Sequence, residues 1–234
     1  MPARPHLAVK LANKASPDDL LVKLRTNYGA STLKDKRVEL RLKENKPASL
    51  AVHTTKTLTS AERNWVWELF EVNMRSLYEA SADGYDPAEK KKELFHPDSR
   101  FLILYSPSPS SPACQKPTSV VKDEPLGYCI FRFDTEETAS DEGDRLCDVA
   151  YCYELQVSSL AKRLGVGRAL MDVLERLSAA CKMDKTMLTV FKANKEAISF
   201  YESLGFRVDE IDPSEYEGGE AVDYVIRSKT SGST

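Results

Sequence analysis

The segment Tyr151 through Arg168, YCYELQVSSLAKRLGVGR, constrains the fold more than any other stretch of the chain. An apolar, aromatic run ends at Val157. A short loop then carries Lys162 and Arg163, and Gly165-Val166-Gly167 opens a helix whose apolar stripe recurs at Val166, Leu170, Val173 and Leu177. Glycines at such a turn let the backbone approach a ligand closely. The unpaired amides of the first helical turn and the helix dipole favour an anion at the same place, and Arg163 and Arg168 add positive charge. Strand, cationic glycine loop and helix together predict a diphosphate cradle.

A lone Gly-x-Gly at a helix start also occurs in dinucleotide-binding and P-loop folds. The chain has neither G-x-G-x-x-G nor G-K-[ST], and its first half does not read as βαβ. A helix is expected over about 60–80, opened by the capping box Thr59-Ser60-Ala61-Glu62 and faced by Val66, Leu69, Phe70, Asn73 and Leu77. A short charged helix follows at 88–94. Strands are expected at Arg100–Tyr105, Leu126–Phe133, Ala150–Val157, Lys185–Lys192, Gly205–Ile211 and Ala221–Ser228, with a further helix over Asn194–Leu204. A Ser/Pro-rich loop at 106–119 interrupts them, because proline cannot donate to a sheet ladder, and an acidic loop carrying Asp134, Glu136, Glu137, Asp141, Glu142, Asp144 and Asp148 is expected after Leu126–Phe133. The sum is an α/β chain, a mixed central sheet flanked by helices.

Charge is unevenly spread. Residues 1–48 hold eleven Lys/Arg against five Asp/Glu, and the remainder holds 22 against 31. The first segment reads as a basic, partly helical extension, with Leu20, Leu21, Leu24 and Tyr28 at helical spacing and Gly29 as its stop; residues 49–230 read as the catalytic domain. An acidic body attracts cationic partners. No apolar run is long enough for a membrane span, and the charged amino terminus does not read as a secretory signal. Five cysteines with no C-x-x-C favour reduced thiols in an intracellular compartment over disulfides or a zinc site. His6, His53 and His96 are scattered and read as structural.

Lys162-Arg163-Leu164-Gly165-Val166-Gly167 resembles the [RQ]-x-x-G-x-[GA] signature of the GNAT acetyltransferases, with Lys at the first position. Asn194-x-x-Ala197-x-x-Phe200-Tyr201-x-x-x-Gly205-Phe206 resembles that family's second cofactor-flanking feature. Within the family, NWVWELFEVNM at 64–74, Leu77-Tyr78-Glu79, FRFD at 131–134, YCYELQ at 151–156 and MLTVFK at 187–192 are similar to the NatD class of N-alpha-acetyltransferases. The similarity covers roughly residues 60–228. It implies a GNAT fold with an N-terminal helical extension and acetyl-CoA as co-substrate, without a metal. It further implies acetylation of the amino-terminal serine of histone H4 and histone 2A. Basic histone tails would then be the partners of a monomer without an auxiliary subunit, in nucleus and cytoplasm.

The transferred acetyl group must meet an unprotonated amine, and an α-amino group of pKa about 8 needs only a modest base. Glu154, on the strand before the loop, is the expected base. For Glu154 and Tyr153 to reach one site, the strand must bulge there. Tyr151 and Tyr153 would shield the site. The resemblance implies that Asp134 helps to bind the peptide and assists Glu154, and that Tyr78, Tyr153, Thr189 and Tyr224 contact the substrate. It also implies that the backbone of Leu155, Gln156 and Val157 pairs with the pantetheine arm, that Asn194 binds the cofactor, and that Tyr201 protonates the leaving thiolate. Arg163, Leu164, Gly165, Val166, Gly167 and Arg168 would hold the diphosphate. Where NatD chains favour Trp after Leu77-Tyr78-Glu79, this chain has Asp83 and Tyr85.

Two other function classes stay open. One is a GNAT that acetylates lysine side chains or a small amine, and the other is a non-catalytic module that holds acetyl-CoA or histone. Nucleic-acid binding by the basic arm is a minor third.

Overall fold

The computed structural model describes residues 6–28, 37–107, 123–138, 146–216 and 222–232. The expected stop at Gly29, most of the Ser/Pro loop, and the acidic residues Asp141, Glu142 and Asp144 lie outside them.

The frame is an eight-stranded sheet in the order β1-β2-β3-β4-β5-β6-β8-β7. Its strands are β1 (Val38–Arg41), β2 (Pro47–Thr54), β3 (Arg100–Ser106), β4 (Glu124–Glu137), β5 (Leu146–Val157), β6 (Lys185–Phe191), β7 (Arg207–Val208) and β8 (Tyr224–Thr230). All neighbours are antiparallel except β5 and β6. The helices are α1 (Leu7–Lys14), α2 (Pro17–Tyr28), α3 (Ser60–Glu79), α4 (Pro87–Leu94), α5 (Val166–Ala180) and α6 (Lys195–Ser203).

Period-two alternation puts helices on both faces. Leu102 and Leu104 of β3 join one core with Val9, Leu20, Leu21 and Leu24 from α1 and α2 and Leu170, Leu174 and Leu177 from α5. Phe101, Ile103 and Tyr105 point to the other side and pack with Val66 and Phe70 of α3 and Leu94 of α4. The capping box of α3 is formed, the Thr59 hydroxyl accepting from the Glu62 amide while the Glu62 carboxylate accepts from the Thr59 amide.

Several elements differ from the sequence reading. The basic segment contributes β1 and the start of β2, which pair with each other and then with β3. The strand expected over Gly205–Ile211 is only Arg207–Val208, because Asp209 turns the chain: its carboxylate accepts from the Ile211 amide and from Lys185. Of the carboxylates expected in the acidic loop, Asp134, Glu136, Glu137 and Asp148 instead sit on β4 and β5, which run out to Glu137 and back from Leu146.

Candidate active site

The site forms where β5 and β6 part. Their parallel pairing runs from Val149/Lys185 to Cys152/Leu188 and stops, although β5 continues to Val157 and β6 to Phe191. Beyond Cys152, β5 is paired on its β4 side alone, so its other backbone edge faces the gap. At the same place β5 carries the expected bulge. Ile130 faces Glu154 while Phe131 faces Cys152, which leaves Tyr153 as the extra residue. The bulge brings Tyr151, Tyr153 and Glu154 together with Cys152, Leu155 and Gln156 on the wall of one cleft of about 460 Å³. Tyr78 and Met74 of α3, Lys90 and Glu93 of α4, Thr189 and Phe191 of β6, and Asn194 and Tyr201 also line it.

At the open end of β5 the chain enters the glycine loop. Arg163 (φ 65°) and Gly165 (φ 88°) both take left-handed conformations, and alternation of hand along a loop turns its amides to one side as an anion nest. Gly165 is the N-cap of α5, and no side chain caps that helix, so the first-turn amides are left for a ligand. The nest is seated by contacts from elsewhere. A Cβ on Gly127 of β4 would lie 2.8 Å from the Gln156 carbonyl oxygen and 2.8 Å from Val166 Cγ1, so only glycine lets α5 start this close to the sheet. The Lys43 amide, in the turn between β1 and β2, donates to the Leu164 carbonyl at 3.1 Å. Arg163 and Arg168 are exposed. A nest for a diphosphate, followed by an unpaired strand edge for an extended amide-bearing arm, fits acetyl-CoA.

Glu154 is 5% exposed, and its carboxylate is fully engaged. Oε2 accepts from Gln156 Nε2 at 2.7 Å, and Gln156 is held in turn by Asn73 Nδ2 at 3.0 Å. Oε1 lies 2.9 Å from Lys90 Nζ and accepts from the Tyr78 hydroxyl at 3.5 Å. Burial disfavours the Lys90 ammonium, but Glu154, the Tyr78 hydroxyl and Glu93 together outweigh it and push its pKa up. Burial likewise raises the hydroxyls of Tyr78, Tyr151 and Tyr153. Tyr201 is buried and pushed well above its usual range by burial, so its hydroxyl carries a proton. The Tyr151 hydroxyl bonds Thr189 Oγ1 across the gap. Arg132 lies 4.0 Å over the Tyr153 ring, and Tyr78 meets Phe191 edge-on at 4.9 Å.

Two expected residues stand apart. Asp134 is exposed, its carboxylate accepting from the Thr135 amide. It lines a neighbouring depression of about 630 Å³ with Glu136 and Glu137, which joins the cleft through Glu136 and Ile211. Tyr224 sits on β8 opposite Phe191 and is not part of the cleft wall; Ile226 of that strand is. Asn194 lines the cleft while its Oδ1 caps α6 at Ala197. The sequence reading missed Lys90, Glu93 and Glu136 as cleft residues and assigned Gln156 only a backbone role. The one signal for Lys90 was its spacing from Leu94, which sets a lysine on the apolar face of a short helix. Among the described residues no group of three His, Cys, Asp or Glu is placed to hold a metal ion, and the four described cysteines are free and buried.

Solved structures of the same fold include Arabidopsis thaliana NAA60 in complex with a bisubstrate analogue (13% identity, 77% of this chain and 98% of that one, TM-score 0.52). The same Arabidopsis thaliana protein with acetyl-CoA gives 14%, 77%, 98% and 0.50. The GNAT domain of S. lividans PAT gives 12%, 86%, 99% and 0.52. At these identities the likeness concerns the fold. The sequence itself matches the model of the acetyltransferase (GNAT) family over residues 66–206, more than half of its length and spanning both cofactor motifs, and the chain therefore belongs to the GNAT family of acetyl-CoA-dependent acetyltransferases.

Proposed function

We propose that this acetyltransferase acts on the α-amino group of a protein amino terminus, with the amino-terminal serine of histone H4 and histone 2A as acceptors. The observation that carries the reading is the buried Glu154 carboxylate at the parting of β5 and β6, walled by the hydroxyls of Tyr78, Tyr151, Tyr153 and Thr189. Four hydroxyl-bearing side chains lining one cleft with a carboxylate suit a peptide backbone presented end-on, with the amine inward. The acidic depression of Asp134, Glu136 and Glu137 continues from the cleft. It offers counter-charge to an arginine a few residues along a tail that begins Ser-Gly-Arg-Gly. The NatD-like motifs at 64–74, 131–134, 151–156 and 187–192 support the same choice.

Bound acetyl-CoA supplies an activated acyl carbon. The neutral α-amine attacks that carbon, and Glu154 takes, directly or through one water, the proton that the nitrogen sheds as the new bond forms. The new C–N bond forms as the C–S bond breaks; Tyr201 gives its proton to the leaving sulfur, and Glu154 releases the amine's proton through solvent to restore it. The aromatic wall keeps bulk water from the thioester.

Mass spectrometry tests the reading directly. A peptide beginning Ser-Gly-Arg-Gly, incubated with acetyl-CoA and the enzyme, gains one acetyl group on its terminal nitrogen. The same peptide with a blocked α-amine and free lysines gains none. Equal acetylation of the blocked peptide would overturn the α-amine assignment, and binding of acetyl-CoA with no release of CoA on any peptide would overturn turnover itself. Glu154→Gln lowers kcat about 100-fold or more, the usual weight of a general base.

A further inference from the structure

Among the described residues, Lys90 is the one buried cation in the catalytic cleft, at 7% exposed, and neither the glycine loop nor the NatD-like motifs include it. Its helix is fixed from both ends. Asp86 caps α4 by accepting from the Ala88 and Glu89 amides, and Arg132 reaches from β4 to the Glu93 carbonyl and to Ser99 Oγ. The lysine stem crosses the rings of Tyr78 and Phe70, the ammonium lying 4.8 Å and 5.4 Å from their centroids. It ends between two carboxylates, 2.9 Å from Glu93 Oε1 and 2.9 Å from Glu154 Oε1.

We propose that Lys90 is a positioning residue for the base, clamping Glu154 in its ionised form and in one orientation, in opposition to Gln156 on the other oxygen. The inference rests on the assignment of Glu154 as the base. A carboxylate this buried, without a cation, takes a proton instead of staying charged. A protonated Glu154 cannot accept the proton of an attacking amine, so the cleft needs a fixed positive charge that is not itself consumed. Lys90 meets that need because Glu93, half in solvent, holds its other side. The other described titratable groups facing Glu154 carry no positive charge. They are Tyr78 from α3, Tyr128 and Cys129 from β4, Cys152 from its own strand and Tyr201 from α6. None of these can replace Lys90.

The test is the pH dependence of kcat/KM on one amino-terminal peptide for wild type, Lys90→Met, Lys90→Arg and Glu154→Gln. In wild type a single ionisation, that of the peptide amine near pKa 8, governs the acid limb, so log(kcat/KM) rises with slope one. In Lys90→Met both the amine and Glu154 must lose protons. The limb steepens toward slope two, kcat/KM at pH 7 falls at least about tenfold, and activity returns toward wild type above about pH 9. Lys90→Arg keeps the charge and restores slope one. A Lys90→Met enzyme that loses the same factor at every pH, or keeps the wild-type limb, overturns the proposal. Should Lys90→Met fail to fold, Lys90→Gln, which also removes the charge, takes its place and is held to the same slopes. If Glu154→Gln keeps the wild-type rate and profile, the base assignment itself fails, an outcome separate from any result on Lys90.

Discussion

Replacing Gly127 with alanine puts a methyl group where two neighbours already stand. Its Cβ would lie 2.8 Å from the carbonyl oxygen of Gln156 and 2.8 Å from Val166 Cγ1, whereas ordinary contact begins at 3.4 Å, so about 0.6 Å must be found. The Gln156 carbonyl is backbone of β5 and cannot swing aside; Val166 is the first residue of α5. The strain therefore falls on the seat of α5, and with it on the nest. Overpacking of this kind costs about 1–3 kcal/mol. For a chain of this size each kcal/mol lowers Tm by about 2–4 °C, so calorimetry should show a fall of about 2–12 °C. If part of the strain is relieved by moving the first turn of α5, the KM for acetyl-CoA rises, about tenfold for each 1.4 kcal/mol, while the KM for peptide stays within about twofold. A Tm loss under 1 °C would show that the sheet and helix have slack here. A full Tm loss with an unchanged KM for acetyl-CoA would refute the claim that the α5 seat sets the nest.

Other substitutions separate the remaining contacts. Lys43→Pro removes the amide that donates to Leu164, and the extended Leu42 before it accepts proline; the loss of about 1 kcal/mol raises the KM for acetyl-CoA several-fold, while Lys43→Ala, which keeps the amide, stays near wild type. Thr59→Ala removes the α3 cap and lowers stability by about 1 kcal/mol in a denaturant titration, with the slope unchanged. Asp209 is paired with Lys185 at 2.7 Å. Burial pushes its carboxyl up, but the bonds from Lys185, Ser228 and the Ile211 amide outweigh it and hold its pKa below 3.8. A folded pKa below the unfolded one stabilises above the unfolded value and loses that contribution as pH falls through the folded value. Asp209→Asn should therefore cost about 3 kcal/mol at pH 7, and the Tm gap to wild type should close below pH 3.8; a gap independent of pH would show the pair contributes nothing.

The parts of this molecule that were legible in the sequence are those whose physics is local. The capping box of α3, the apolar stripe of α5 and the glycine loop each lie within one element or turn, so residue spacing reports them. The bulge at Tyr153 was legible by a different route. A tyrosine and a glutamate adjacent on a strand cannot share a face unless an extra residue is inserted, so the demand for one site implied the irregularity. What was illegible depends on partners remote in the chain. The strand at Pro47–Thr54 is a strand because Leu50 meets Leu104 and Val52 meets Leu102, and PASLAVHT, short and without a clean apolar-polar alternation, gives little sign of that pairing. Lys90 looks like one more charge in a charged helix until Glu154 is set beside it by folding. Asp134 and Glu136 are two residues apart on one strand, yet only Glu136 lines the cleft, a difference set by where the cleft ends.

The same distinction explains why the cofactor motif was so readable and yet so incomplete as an account of the site. The loop Lys162–Gly167 encodes its own conformation through Arg163 and Gly165, but a nest aims only as well as it is anchored. Its anchors come from Gly127 on β4, from the Lys43 amide between β1 and β2, and from Phe200 of α6, whose Cζ would lie 3.3 Å from a Cβ on Gly167. The proposed base has the same dependence. Glu154 owes its position to a bulge in its own strand, and its two hydrogen-bonded oxygens to Gln156 and to a lysine 64 positions earlier. Thioester and amine are brought together by elements that share no sequence neighbourhood, so Gly127→Ala, Lys43→Pro or Lys90→Met should injure catalysis as selectively as a substitution inside the signature.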